Sequence, residues 1–335
     1  MMAKTVNGAF SYFMSEIVNL AKERTQKARD SRDAVIDKIN GLTDFLKLDK
    51  SRHLYFGSFA RRTKIRPIDD IDIMICIDST DLKLSISGNS DIQITLKNTV
   101  NTALKACCDS TYGYYSTYIL NSNKVKNRLK AALSGLHDCR KAELHSNQEA
   151  VTLEYSTYEW NFDIVPCIYV SEYFGQGYYL IPNGKGNWKK TDPRRDRDKV
   201  TNENRRLEGK LLDLIRLVKY WGRISFGSRM PSYLLETLVI NYGKNRTSLN
   251  DYIDLRFIDF LTWVQGKIYG SIYDMKDMQG NINNLTLDQK SKFNNVVQQD
   301  LQNSNIAFEF EKKQDHKQAI EYWLKVFGKH FPTFG

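Results

Sequence analysis

Asp70–Ile71–Asp72–Ile73–Met74–Ile75–Cys76–Ile77 is the stretch on which the reading of this chain turns. Side chains alternate between the two faces of a strand. The isoleucines at 71, 73, 75 and 77 therefore line one buried face, and Asp70 and Asp72 project together from the other. Two same-face carboxylates repel each other, and desolvation makes ionising both harder still. A divalent cation removes that penalty, so the pair is expected to form half of a Mg²⁺ site. Just upstream runs Leu54–Tyr55–Phe56–Gly57–Ser58, with eleven residues, Phe59 to Asp69, between Ser58 and Asp70. Glycine permits close backbone approach to a phosphate. The backbone N–H groups of such a turn and the Ser58 hydroxyl can donate to phosphate oxygens.

The pattern recurs once. Trp160–Asn161–Phe162–Asp163–Ile164–Val165–Pro166–Cys167–Ile168–Tyr169–Val170 reads as a buried strand rich in β-branched and aromatic residues. Asp163 interrupts it, and an unpaired carboxylate there would be costly. With Asp70 and Asp72 on a neighbouring strand, three oxygen ligands would converge. Mg²⁺ favours a few carboxylates plus substrate phosphates. Two such ions roughly 3.5–4 Å apart can stabilise both the attacking and the leaving oxygen of phosphoryl transfer. An isolated Asp-x-Asp or Gly-Ser pair carries little information; the combination is what points to metal and nucleotide.

Gly57–Ser58, Asp70–Ile71–Asp72 and Asp163 resemble the signature of the polymerase-β-like nucleotidyltransferases. Over essentially its whole length the chain resembles the bacterial cGAS/DncV-like nucleotidyltransferases (CD-NTases), the signal-making enzymes of CBASS anti-phage systems. Leu214–Ile215–Arg216–Leu217–Val218–Lys219–Tyr220–Trp221 followed by Pro231–Ser232–Tyr233 resembles the helix-loop-helix that holds nucleotides in that group. The ending Tyr322–Trp323–Leu324–Lys325–Val326–Phe327–Gly328–Lys329–His330–Phe331–Pro332 is similar too.

The resemblance implies an α+β fold. A nucleotidyltransferase lobe, a mixed twisted sheet with helices, would span residues 1–200 and include a long N-terminal spine helix; a helical nucleotide-binding lobe would span 201–335. It implies Asp70, Asp72 and Asp163 as catalytic residues and ligands of two Mg²⁺ or Mn²⁺ ions, with phosphate binding by Gly57, Ser58, Lys219 and Ser232. Tyr233, which by sequence alone suits a core position, would stack on a base. The expected product is a cyclic di- or trinucleotide made with release of pyrophosphate and read by a cyclic-nucleotide-sensing effector. Expected substrates are nucleoside triphosphates, ATP first, with GTP or a pyrimidine nucleotide as alternatives. A non-cyclising transferase acting on a protein, an RNA end or a small molecule is the rival reading. The resemblance also raises a ubiquitin-like transferase acting on Gly335, and a zinc ribbon. Cys107, Cys108, His137, Cys139 and His145 do not reproduce a compact ligand run or a Cys-x₂-Cys pair, so no structural zinc is expected.

Bulk properties narrow the class. A chain of 335 residues is expected to divide into two lobes. Hydrophobic content of 41% and charged content of 26% suit a soluble globular protein. No run approaches 18 apolar residues, and Met1–Met2–Ala3–Lys4–Thr5 leads into no secretory segment, so a cytoplasmic protein without a membrane partner is expected. Five cysteines make no disulfide framework, and Cys76 and Cys167 read as buried thiols. Of the net charge of +10, half comes from Lys185 to Arg206, where nine basic residues face four acidic ones. Steering of triphosphates ranks ahead of a merely solvated surface and of a nucleic-acid footprint. Asp192 is a candidate pocket side chain.

Phe10 to Leu48 reads as helical, followed by strands around Leu54 and Ile68–Ile77. A polar insertion covers Ser79–Asp91, Val100–Ala106 looks helical, and further strands are expected at Tyr114–Leu120 and Glu149–Leu153. Pro182–Asn187 is a loop by its turn chemistry. From Thr201 the chain turns helical, with Leu207, Leu211, Leu214, Ile215, Val218 and Trp221 on one stripe. Lys219 falls just off that stripe; it either snorkels to solvent or enters a cleft, and the resemblance favours the cleft. The Asn/Gln/Asp-rich segment Asp274–Asn305 is expected to hold a loop between C-terminal helices.

Overall fold

A computed structural model describes residues 2–85, 91–111, 117–136, 143–172 and 175–335. The chain forms two compact units. Glu23–Ala60 and Ile68–Arg194 make a sheet unit, while Met1–Lys22, Arg61–Pro67 and Arg195–Gly335 make a helical unit.

The N-terminal helical segment comes in two pieces. Helix α1 (Val6–Tyr12) starts where the Thr5 side chain accepts from the Gly8 N–H, at 3.1 Å. It runs into a π-helical turn, Phe13–Val18, closed by the Asn19 N–H on the Met14 carbonyl. Asn19 then takes extended backbone, and α2 (Lys22–Asn40) begins. The expected helix from Phe10 to Leu48 is therefore broken near residue 20 and ends eight residues early. The break lets α1 and α2 serve different cores. In the helical unit Phe10 meets Trp323 edge-on at 4.9 Å and Phe13 meets Tyr220 at 5.0 Å, contacts worth about 0.5–1.5 kcal/mol each. In the sheet unit α2 buries Ala28, Ser31, Val35 and Ile39, and the Trp160 indole donates to Ser31 Oγ at 3.1 Å.

The main sheet holds β1 (Leu54–Phe56), β2 (Asp70–Ile77), β3 (Glu143–Ser146), β4 (Val151–Glu154), β5 (Asn161–Val170), β6 (Tyr178–Pro182) and β7 (Trp188–Thr191). β5 is the hub. Along one edge it pairs in parallel with β2; along the other it pairs antiparallel with β4 near its start and with β6 near its end. β1 adds to β2, β3 to β4 and β7 to β6, all antiparallel. Mixed pairing of this kind, with helices around it, is the α+β architecture the resemblance implied.

A separate four-stranded antiparallel sheet takes Leu82–Ser85, Gln93–Leu96, Thr117–Leu120 and Cys108–Thr111 in that order. Residues 86–90 of the polar insertion and 114–116 of an expected strand lie outside the described residues. Helix α3 (Ser122–Gly135), capped by Asn121, buries Val125, Leu129 and Leu133.

The helical unit contains α4 (Pro193–Arg206), α5 (Lys210–Phe226), α6 (Ser232–Lys244), α7 (Ile253–Val264), α8 (Leu287–Lys312) and α9 (His316–Phe327). All six residues of the predicted stripe are buried, five of them on α5 and Leu207 just before it. Gly222 lets α5 and α6 approach, since a Cβ there would lie 2.2 Å from Leu235 Cδ1. The segment Asp274–Asn305 does hold a loop between helices, but only as far as Thr286; from Leu287 it is helix. A capping box of Thr286 and Gln289 starts α8, and Phe293, Val297, Asp300, Asn303, Ser304 and Ala307 face the core. Polar composition there hid a helical stripe. Thr333–Phe334 pairs in parallel with Met2–Ala3, and a Cβ on Gly335 would crowd the Met2 side chain.

Candidate active site

β2 buries Ile71, Ile73, Ile75 and Ile77 on one face, as alternation requires. On the other face Met74 and Cys76 are covered by Val165, Cys167, Tyr179 and Ile181, so the strand interior is apolar on both sides. Only Asp70 and Asp72, at its N-terminal end, are left half-buried. β5 repeats this plan with Asn161 and Asp163 before Val165 and Cys167. Parallel register sets Asp163 opposite Asp72 and Asn161 opposite Asp70. Ligand oxygens of Asp70, Asp72 and Asp163 consequently lie within 4.8 Å of one another.

Gly57 stands against this cluster. Phe56 pairs with Asp72, and the next residue turns with φ +72°. A Cβ on Gly57 would fall 1.7 Å from Asp72 Oδ2. Glycine is needed here for two reasons, the left-handed backbone and the close approach. Ser58 follows in the short helical turn Gly57–Ala60, half-buried. On the other side of β5, Thr152 is the register partner of Asp163, and its hydroxyl donates to Asp163 Oδ1 at 2.6 Å. Asn147 Nδ2 donates to the same hydroxyl at 3.0 Å. Three half-buried carboxylates form a hard-oxygen donor set that suits Mg²⁺ or Mn²⁺.

Lys219, Ser232 and Tyr233 belong to the helical unit. Lys219 does not snorkel: it is 6% exposed, and its ammonium donates to Glu236 Oε1 at 2.6 Å and to the Thr63 carbonyl at 2.8 Å. Burial holds its pKa below the usual lysine value. Glu236 also accepts from Arg61 Nη2 at 3.1 Å and Thr63 Oγ1 at 2.9 Å. Burial opposes its ionisation, yet Arg61 and Lys219 prevail and keep its pKa below the usual range. Ser232 is exposed at the start of α6. The Tyr233 hydroxyl lies 2.8 Å from Asp196 Oδ1 and 2.6 Å from Asp274 Oδ1. Its ring has Arg61 and Lys276 at 5.3 and 5.2 Å from the centroid. Burial, with the two aspartates, pushes this phenol far above its ordinary pKa.

Thr152, Asn147, Arg61, Glu236 and Asp196 escaped sequence reasoning, because nothing in spacing joins residues so far apart in the chain. Asp192 is buried and bonded to the Arg194 guanidinium at 2.8 Å, so it anchors an ion pair rather than lining an open pocket. At least five of the nine cations between Lys185 and Arg206 face acidic partners, which blunts the field of that stretch. Cys107 and Cys108 are buried thiols, whereas His145 sits on an exposed face with Glu143 and Glu154; His137 and Cys139 lie outside the described residues. No helix among the described residues is long and apolar enough to cross a membrane.

Comparison with known proteins fits this geometry. Residues 4–126 match the family model of the Second Messenger Oligonucleotide or Dinucleotide Synthetase domain. A Bacillus cereus protein named "Probable cyclic nucleotide synthase" is 38% identical over 347 residues, covering 99% of each chain. An Escherichia coli cyclic AMP-AMP-AMP synthase is 22% identical, covering 95% of each. Among solved structures, Escherichia coli CdnC with ATP superposes with a TM-score of 0.68 at 18% identity, covering 96% of this chain and 98% of that one. Escherichia coli DncV bound to 3′-deoxy GTP gives 0.66 at 12% identity, covering 96% and 97%. The structures establish the fold, and the full-length identity to the Bacillus cereus protein establishes the family: the chain belongs to the cGAS/DncV-like nucleotidyltransferases and is an enzyme of the cyclic nucleotide synthase family.

Proposed function

We propose that this enzyme joins nucleoside triphosphates into a cyclic di- or trinucleotide, releasing pyrophosphate at each step, and that the product signals to an effector in anti-phage defence. The observation that carries the reading is the convergence of Asp70, Asp72 and Asp163 beside a glycine that nothing larger could replace. Asp70, Asp72 and Asp163 would hold two Mg²⁺ or Mn²⁺ ions. Bound there, such ions supply charge neutralisation at the attacking and leaving oxygens and acidify the acceptor hydroxyl.

The chain's own part is positioning. Gly57 leaves room for a phosphate beside Asp72, and the Ser58 hydroxyl donates to its oxygens. In the helical unit Ser232 offers a hydroxyl to phosphate, and Tyr233 offers its ring to a base. Lys219, locked to Glu236 and the Thr63 carbonyl, contributes by fixing Arg61–Pro67 against α5 and α6. ATP as a substrate is supported by the relative named for cyclic AMP-AMP-AMP synthesis.

Incubation with labelled ATP and GTP, then phosphatase and chromatography, tests the reading. A phosphatase-resistant small product is expected. Label fixed to a protein or RNA would instead identify a non-cyclising transferase.

A further inference from the structure

Asp163 is backed by the β3–β4 hairpin. β4 lies directly beside β5, and Thr152 is the register partner of Asp163, so both stand on the same sheet face. A threonine hydroxyl has a single proton, and an ionised carboxylate can only accept. The 2.6 Å bond therefore commits that proton to Asp163 Oδ1. Asn147 Nδ2 donates to the hydroxyl oxygen from behind, which fixes its rotor.

Asn147 is itself held. The turn joining β3 to β4 closes with the Asn147 N–H on the Ala150 carbonyl, at 3.0 Å. From α3 the buried Lys126 ammonium donates to the carbonyls of Asn147 and Gln148, at 2.7 and 2.9 Å. Glu149 in the same turn pairs with Lys189 of β7. A buried cation thus pins a turn, the turn aims an amide, the amide orients a hydroxyl, and the hydroxyl orients one oxygen of Asp163.

We infer that Thr152, fixed by Asn147 and the Lys126-anchored turn, is a positioning residue that sets the orientation of the Asp163 carboxylate and thereby the divalent-cation affinity of the cluster. The inference rests on the metal-binding reading of Asp70, Asp72 and Asp163. Partners that orient ligating carboxylates typically change metal affinity or activity by about 10–100-fold when removed.

The test is Mn²⁺ titration of the full chain, followed by the paramagnetic resonance of free Mn²⁺, for wild type, Thr152→Val, Thr152→Ser, Asn147→Ala and Asp163→Asn. Asp163→Asn supplies the background from other donors, including the exposed Glu143, His145 and Glu154. Above that background Thr152→Val is expected to weaken binding at least about 10-fold. Thr152→Ser, which keeps the hydroxyl, should restore it, and the exposed Asn147→Ala should shift it less in the same direction. Should Thr152→Val fold poorly, the Asn147→Ala and Thr152→Ser pair carries the comparison. Binding in Thr152→Val equal to wild type, or in Thr152→Ser as weak as in Thr152→Val, overturns the inference alone. A wild type that binds Mn²⁺ no better than Asp163→Asn overturns the metal reading with it.

Discussion

Gly57 is the position where one added methyl group tests most. Its φ of +72° and the 1.7 Å approach of a virtual Cβ to Asp72 Oδ2 leave no room for alanine. Gly57→Ala is expected to displace the Asp72 carboxylate and lower kcat by roughly 10²-fold or more, on the scale of losing one transition-state stabilising group, as read by pyrophosphate release. Near-normal turnover would mean the turn and the carboxylate are independent. Asp300 invites a different test. It lies in α8, accepts from the Trp221 indole at 2.7 Å, and burial pushes its carboxyl up to about 6. Glu311, through burial and the neighbouring Asp254, reaches about 7. A carboxyl whose pKa rises on folding holds its proton more tightly in the native state, so stability falls as pH climbs from the ordinary carboxylate value to the raised one. Thermal midpoints of wild type should therefore decline between about pH 4 and 7 more steeply than those of the Asp300→Asn/Glu311→Gln variant. Parallel profiles would place the pH response elsewhere.

At the scale of elements, the carboxylate cluster follows from one parallel strand pair, and that much was legible. Alternation in Asp70–Ile77 and the odd aspartate in Asn161–Val170 predicted both strands and their outward residues. Thr152 was not legible, because a threonine in a four-residue strand carries no signal until register puts it opposite Asp163. The α1–α2 break at Asn19–Ala21 and helix α8 were missed for related reasons. No glycine or proline marks the first, and Asn and Gln interspersed among the apolar residues mask the stripe of the second. Lys219 shows the same limit. Its partners, Thr63 and Glu236, sit 156 and 17 residues away in the chain. Removing one member of a buried ion pair costs about 3–5 kcal/mol because it strands the other. Lys219→Met should accordingly lower the thermal midpoint, by about 2–4 °C per kcal/mol, and Lys219→Met/Glu236→Gln should recover part of the loss. A raised KM with an unchanged midpoint would assign Lys219 directly to substrate instead.

For the whole molecule, the candidate residues fall in both units. The sheet unit carries the acidic cluster with Gly57 and Ser58, and the helical unit carries Ser232, Tyr233 and the Lys219–Glu236–Arg61 brace. Family and fold were readable because the three aspartates and the glycine-serine turn lie in short, strongly patterned segments. The size, bases and linkage of the proposed ring were not readable, because no such pattern encodes them. The most direct test is mass spectrometry of phosphatase-treated reactions containing all four nucleoside triphosphates and Mg²⁺, run with wild type and with Asp72→Asn. The account predicts a closed ring of two or three nucleotides, without terminal phosphates, from wild type and none from Asp72→Asn. Only linear or macromolecule-bound label, or an unchanged product from Asp72→Asn, would contradict it.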